Sequence, residues 1–98
     1  MVYKIIISLR AQKEIENAID YYALYSREVP IHFISVLKET YKTLQTNPFF
    51  RICYKNVRVL KLKRFPYSLY FTIDENKNVI SVLSCFHNKL NPSKRPKY

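Results

Sequence analysis

The succession of hydrophobic periods predicts an α+β fold, with an N-terminal strand and a two-helix antiparallel hairpin packed on one face of a mainly antiparallel four- to five-stranded sheet. Three observations predict it. Residues 2–7, "VYKIII", are β-branched and apolar. From Ser8 to about residue 47, apolar side chains recur at three- and four-residue spacing, and from Arg51 onward they alternate with polar ones.

The opening run is apolar almost throughout, which predicts a short strand covered on both faces. Ser8 is placed to cap a first helix, in which Ala11, Ile15, Ala18, Ile19 and Tyr22 form one apolar stripe while Gln12, Lys13, Glu16 and Asp20 take the other faces. After "YSREVP", Phe33, Leu37, Tyr41 and Leu44 form a second stripe. Pro30 suits its first turn, and Pro48 turns Asn47 away from helix. The short connection between the helices sets them antiparallel, with both stripes facing one sheet.

Four β segments follow: "RICYK", "VRVLKLKRF", "YSLYFTID" and "VISVLSCFH", with "DENKN" as the hairpin loop between the last two. Alternation assigns Leu60, Leu62, Leu69, Phe71, Ile73, Ile80, Val82 and Phe86 to the face under the helices. The opposite, open face would gather Lys61, Lys63, Ser68, Tyr70, Ser81, Cys85 and His87. A β-bulge would reverse such assignments, and Arg58, which falls on the leucine parity, points to a strand end or a bulge. Glycine is absent, so Asn56, Asn76, Asn78 and Asn91 are the candidates for tight turns, and phosphate-cradling glycine loops are excluded.

At 98 residues and 48% hydrophobic, the chain is expected to form one domain spanning 1–98, with a basic, flexible tail from about 88 to 98. The apolar run "IIISL" is too short for a signal core or a membrane span, so the reading is a cytoplasmic protein with no membrane partner. Cys53 and Cys85 are then most simply buried thiols. No spacing of Cys and His suits a metal, and neither a metal nor a small-molecule cofactor is expected.

The formal charge of +10 is local. Arg51, Lys55, Arg58, Lys61, Lys63 and Arg64 occur without an intervening acid, and Lys89, Lys94, Arg95 and Lys97 follow His87; the other seven basic residues are balanced by seven acidic ones. Positive charge concentrated in this way fits a nucleic acid or an acidic protein partner.

The element order and several words along the chain resemble the RelE/ParE superfamily of bacterial toxins. The words are "NP" after the second helix, "VR…LKRFPYSLYF", and "VISVLSCFH…NP". The "RFPY" of Arg64–Tyr67 and the strand-end His87, with Pro92 five residues later, carry most of the likeness. The resemblance implies the toxin half of a type II toxin–antitoxin system, neutralised by a cognate antitoxin protein. It also implies one of two targets. RelE-like members cleave messenger RNA on the ribosome, and ParE-like members poison DNA gyrase. Many relatives carry an arginine and a tryptophan at the positions that are Leu90 and Arg95 in this chain.

RNA cleavage needs a proton-transfer group and donors for the phosphate. His87 is the candidate for the first, Arg58 and Arg64 for bidentate phosphate binding, and Lys61, Lys63 and Lys89 for added charge. Tyr70 is the candidate for stacking on a base. "RFPY" is closer to ParE relatives, whereas a basic open face with His87 suits a ribosome-dependent endoribonuclease, toward which the sequence tilts. A gyrase inhibitor without catalysis is the alternative, and an inactive basic module that only pairs with its antitoxin is the second.

Overall fold

The computed structural model of the protein describes residues 2–89, so Leu90, Asn91, Pro92, Arg95 and most of the basic tail lie outside the described residues. Strand β1 (Lys4–Ile7) leads into helices α1 (Leu9–Ala23) and α2 (Val29–Thr46), followed by strands β2 (Ile52–Tyr54), β3 (Val57–Lys61), β4 (Tyr67–Asp74) and β5 (Val79–His87). The five strands form one sheet in the order β1-β5-β4-β3-β2, with β1 parallel to β5 and every other pairing antiparallel.

The helical stripes do what their spacing predicts. Ala11, Ala18, Phe33, Leu37 and Leu44 are buried against Leu62, Leu69, Phe71, Ile80 and Val82, and Ile15, Ile19, Tyr22 and Tyr41 pack at the margin of this core. The Ser8 hydroxyl accepts a hydrogen bond from the Ala11 N–H at 3.0 Å and donates to the Leu83 carbonyl at 2.9 Å. One side chain therefore caps α1 and fixes it to β5. At the other end of the hairpin, α2 stops at Asn47, whose extended backbone (φ −153°, ψ 91°) precedes a fully buried Pro48.

The "DENKN" loop closes the β4–β5 hairpin. Asp74 Oδ1 accepts from the N–H groups of Asn76 and Lys77, and Asn78 takes a left-handed φ of 54°. In the β2–β3 turn it is Lys55 (φ 49°), not Asn56, that adopts the left-handed conformation.

Several expectations are corrected. β1 is not covered on both faces: it lies at the sheet edge, and Lys4 and Ile6 face solvent while Ile5 and Ile7 pack inward. β3 ends at Lys61 instead of running to Phe65, because Arg64 turns left-handed (φ 67°) and the Leu62 N–H donates to the Tyr67 carbonyl. Cys53 is exposed because β2 is the opposite edge strand; Cys85 is buried, and both thiols are free.

The largest correction comes from a bulge in β5. Phe71 pairs with Val82 but Tyr70 pairs with Ser84, which leaves Leu83 as an extra residue and reverses the alternation beyond it. Cys85 consequently joins the core under the helices, and Phe86 moves to the opposite face. That face is not simply open: Val57, Tyr70 and Phe86 form a second, small buried cluster there. No described helix is long and apolar enough to cross a membrane.

Candidate functional site

His87 ends β5 opposite Tyr67, and the bulge has brought it to the helix side of the sheet. Its ring meets the Tyr67 ring edge-on, with centroids 5.0 Å apart. Nδ1 accepts a hydrogen bond from the Lys89 N–H at 3.1 Å, so the neutral ring carries its proton on Nε2. A base at Nε2 would require the other tautomer, which gives up this bond.

The depression beside His87 has a volume of about 360 Å³ and is lined by Glu14, Asn17, Tyr21, Tyr67 and Cys85. Glu14 crosses from α1 to the bulge. Its Oε1 accepts from the Ser84 hydroxyl at 2.6 Å and from the Cys85 N–H at 3.2 Å, while Oε2 lies 3.6 Å from the Arg10 guanidinium. Burial, helped by the Glu14 carboxylate, pushes the Cys85 thiol up to about 12. Burial, with the neighbouring Tyr22, likewise pushes the Tyr67 phenol up to about 12. Both groups are neutral near pH 7, so neither is a base or a nucleophile in this depression.

Apart from Lys89, two residues further on, the remaining candidates do not gather around His87. Arg58 donates to the Phe50 carbonyl at 2.8 Å, and its guanidinium lies 5.3 Å from the Phe49 ring centre. Arg58 is level with Phe71 and His87 with Tyr67, two strands away, so their backbones are about 16 Å apart at ordinary strand spacings. Tyr70 is only 7% exposed in the second cluster, out of reach of a nucleobase. Lys61 is exposed on β3 opposite Ser68, and Lys89 is exposed just beyond β5. Lys63 and Arg64 are not on the open face; both line a second depression against α2. The described residues contain no group of three or more His, Cys, Asp or Glu that could hold a metal ion.

Between the two depressions the aromatic residues of "RFPY" are structural. Phe65 and Tyr67 pack edge-on against Phe33 and Tyr22, with ring centres 5.1–6.4 Å apart. Such rings bury large apolar area and add specific edge contacts. The word that carries the sequence likeness is thus the one that ties the sheet to the helical hairpin.

The family model described as the ParE toxin of the type II toxin–antitoxin system parDE matches residues 5–91. The chain belongs to the ParE toxin family. No curated protein sequence matches it. Among solved structures, this ParE-family chain is similar to one from the chromosomal ParDE toxin–antitoxin system of P. aeruginosa. The TM-score is 0.74 at 21% identity, covering 88% of this chain and 96% of that one. It is also similar to a chain of the toxin–antitoxin complex RelBE2 of Mycobacterium tuberculosis, with TM-score 0.65 and 14% identity over 89% and 99% of the two chains. The isolated E. coli RelE toxin gives TM-score 0.57 and 18% identity over 93% and 89%. At these identities the likeness is one of fold.

Glu14 is the site residue that sequence reasoning passed over in this ParE-family chain. Its partners are 70 and 71 positions away. The available signal was its place on the Ala11–Ala18 side of α1 rather than on the solvated face with Glu16 and Asp20.

Proposed function

We propose that this ParE-family toxin arrests growth by binding DNA gyrase, with no chemistry of its own, and that an acidic cognate antitoxin neutralises it. The observation that carries this reading is the dispersal of the candidate catalytic groups. Phosphodiester cleavage needs a proton-transfer group and phosphate donors converging within hydrogen-bond reach of one reacting centre. Arg58 is instead engaged by a backbone carbonyl and an aromatic ring, about 16 Å from His87 on ordinary strand geometry, and Tyr70 is buried. The family assignment to ParE supports the same reading, as does the local positive charge, which suits a large acidic partner surface.

The test is a short pulse of expression, followed by separate measurement of RNA integrity, translation and DNA breaks, together with supercoiling by purified gyrase. DNA breaks, an induced damage response and inhibited supercoiling are expected with transcripts intact. Rapid loss of translation with transcripts cut on the ribosome would replace this reading with the endoribonuclease one. Co-elution with the product of an adjacent gene at moderate salt tests the antitoxin, and failure to co-elute would remove it.

A further inference from the structure

Residues 51–56, which form β2 and its turn, are all exposed, and they set apolar and cationic side chains along the free edge of the sheet. Phe49, Ile52 and Tyr54 keep 51%, 52% and 45% of their surface in solvent. Cations stand over both rings: the Arg58 guanidinium lies 5.3 Å from the Phe49 ring centre, and Lys55 Nζ lies 5.4 Å from that of Tyr54. Arg58 is level with Phe71 on the helix side, whereas Tyr54 is level with Val57 in the cluster on the opposite side, so the two rings stand on either side of the edge. Among the described residues, Arg51, Lys55 and Arg58 have no carboxylate partner. The acids nearest in the chain face elsewhere: Glu39 lines a depression with Phe50, Lys61 and Lys63, and Asp74 closes the β4–β5 turn.

We infer that this edge is a binding platform for single-stranded DNA, in which bases stack on Phe49 and Tyr54 while Arg51 and Lys55 hold the phosphates that cross between them. Each ring has a cation over it, which puts a positive charge beside the ring surface that remains open to a base. The shape of the edge selects this occupant over an acidic peptide. Four depressions of about 230–550 Å³ mark the described surface, and residues 51–56 line none of them. A peptide's anchoring side chains therefore find no hollow to fill, whereas a base needs a flat ring. Strand addition is equally poor, because β2 has three residues and its register slips between Ile52 and Tyr54. The choice of DNA over RNA rests on the gyrase reading, since gyrase works on DNA; the platform itself uses neither His87 nor the hollow beside it.

The experiment uses the full-length chain and a short, labelled oligothymidylate, with anisotropy read over a salt series. Phe49→Ala and Tyr54→Ala should each weaken binding about tenfold with the salt slope unchanged, because they remove stacking. Arg51→Gln and Lys55→Gln should each lower the slope of log affinity against log salt by about 0.7, because each removes a phosphate contact. Lys13→Gln, on α1, should leave affinity within twofold. Cys53 is exposed and Cys85 is buried, so alkylation of the native chain reports on this edge. Saturating oligonucleotide should slow that alkylation at least tenfold, an arm that needs no variant. The inference is overturned if polyglutamate of equal charge displaces the label as well as unlabelled oligothymidylate does, or if the ring variants bind like the parent. It is also overturned if Cys53 is not protected, or if oligouridylate binds tenfold more tightly than oligothymidylate. A parent chain that binds the oligonucleotide in this way but leaves gyrase supercoiling unchanged would support the platform and remove the gyrase reading.

Discussion

Replacing Glu14 should destabilise the fold by an amount that the geometry bounds. The Ser84 hydroxyl is fully buried, and both it and the Cys85 N–H donate to the same carboxylate oxygen, at 2.6 and 3.2 Å. Glu14→Ala leaves two buried donors without an acceptor, at about 1–3 kcal/mol each, so the expected loss is about 2–6 kcal/mol. Glu14→Gln keeps an acceptor oxygen but not the charge, and about 1–2 kcal/mol should be lost. For a domain of this size each kcal/mol corresponds to about 4–8 °C in Tm. The assay is urea unfolding of both variants, with the m-value checked so that a change in midpoint reports stability. A double-mutant cycle with Ser84→Ala isolates the pair, and a coupling of about 1–2 kcal/mol is expected. If Glu14→Ala stays within about 0.5 kcal/mol of the parent, or the cycle shows no coupling, the carboxylate does not hold the bulge and the placement of His87 has another cause.

Phe33→Ala should cost about 3–5 kcal/mol, because Phe33 is fully buried among Tyr22, Phe65 and Tyr67; a thermal melt that is barely shifted would contradict this packing. Stability should fall as pH rises above about 9, by up to about 1.4 kcal/mol per pH unit for each titrating group. The native Cys85 and Tyr41 remain protonated to about 12 while the unfolded chain releases those protons earlier. Cys85→Ala should flatten the first part of that decline in a denaturation series run from pH 8 to 11, and an unchanged slope would count against burial as the cause. His87→Ala should remain toxic within about threefold and cut no RNA, whereas a positioned acid or base would give a loss of about 10²–10⁴-fold in cleavage.

The local periods of the chain carried the fold. The helical stripes of Ala11–Tyr22 and Phe33–Leu44, the Ser8 cap, the stop before Pro48 and the "DENKN" hairpin each depend on residues a few positions apart, so one chain read in order contains them. The family was legible for the same reason, since "RFPY" and the strand-end histidine are contiguous words. The exposure of Ile6 and Cys53 was not, because which strand lies at an edge follows from sheet order and not from the composition of the strand.

By itself, then, the sequence determined an α+β chain of RelE/ParE character with its excess charge in residues 51–64 and the tail. The tertiary structure decided where that charge and His87 point. One unpaired residue, Leu83, reverses every later side chain of β5, and the strand is bonded there by Ser8 and Glu14, 75 and 70 positions away from their partners on it. A left-handed residue at Arg64 does the same for the β3–β4 turn. Side-chain direction in a strand has a period of two, so a single added residue or one reversed dihedral moves a candidate site to the other face. Whether the chain adopts such a defect depends on what packs against it from a distance.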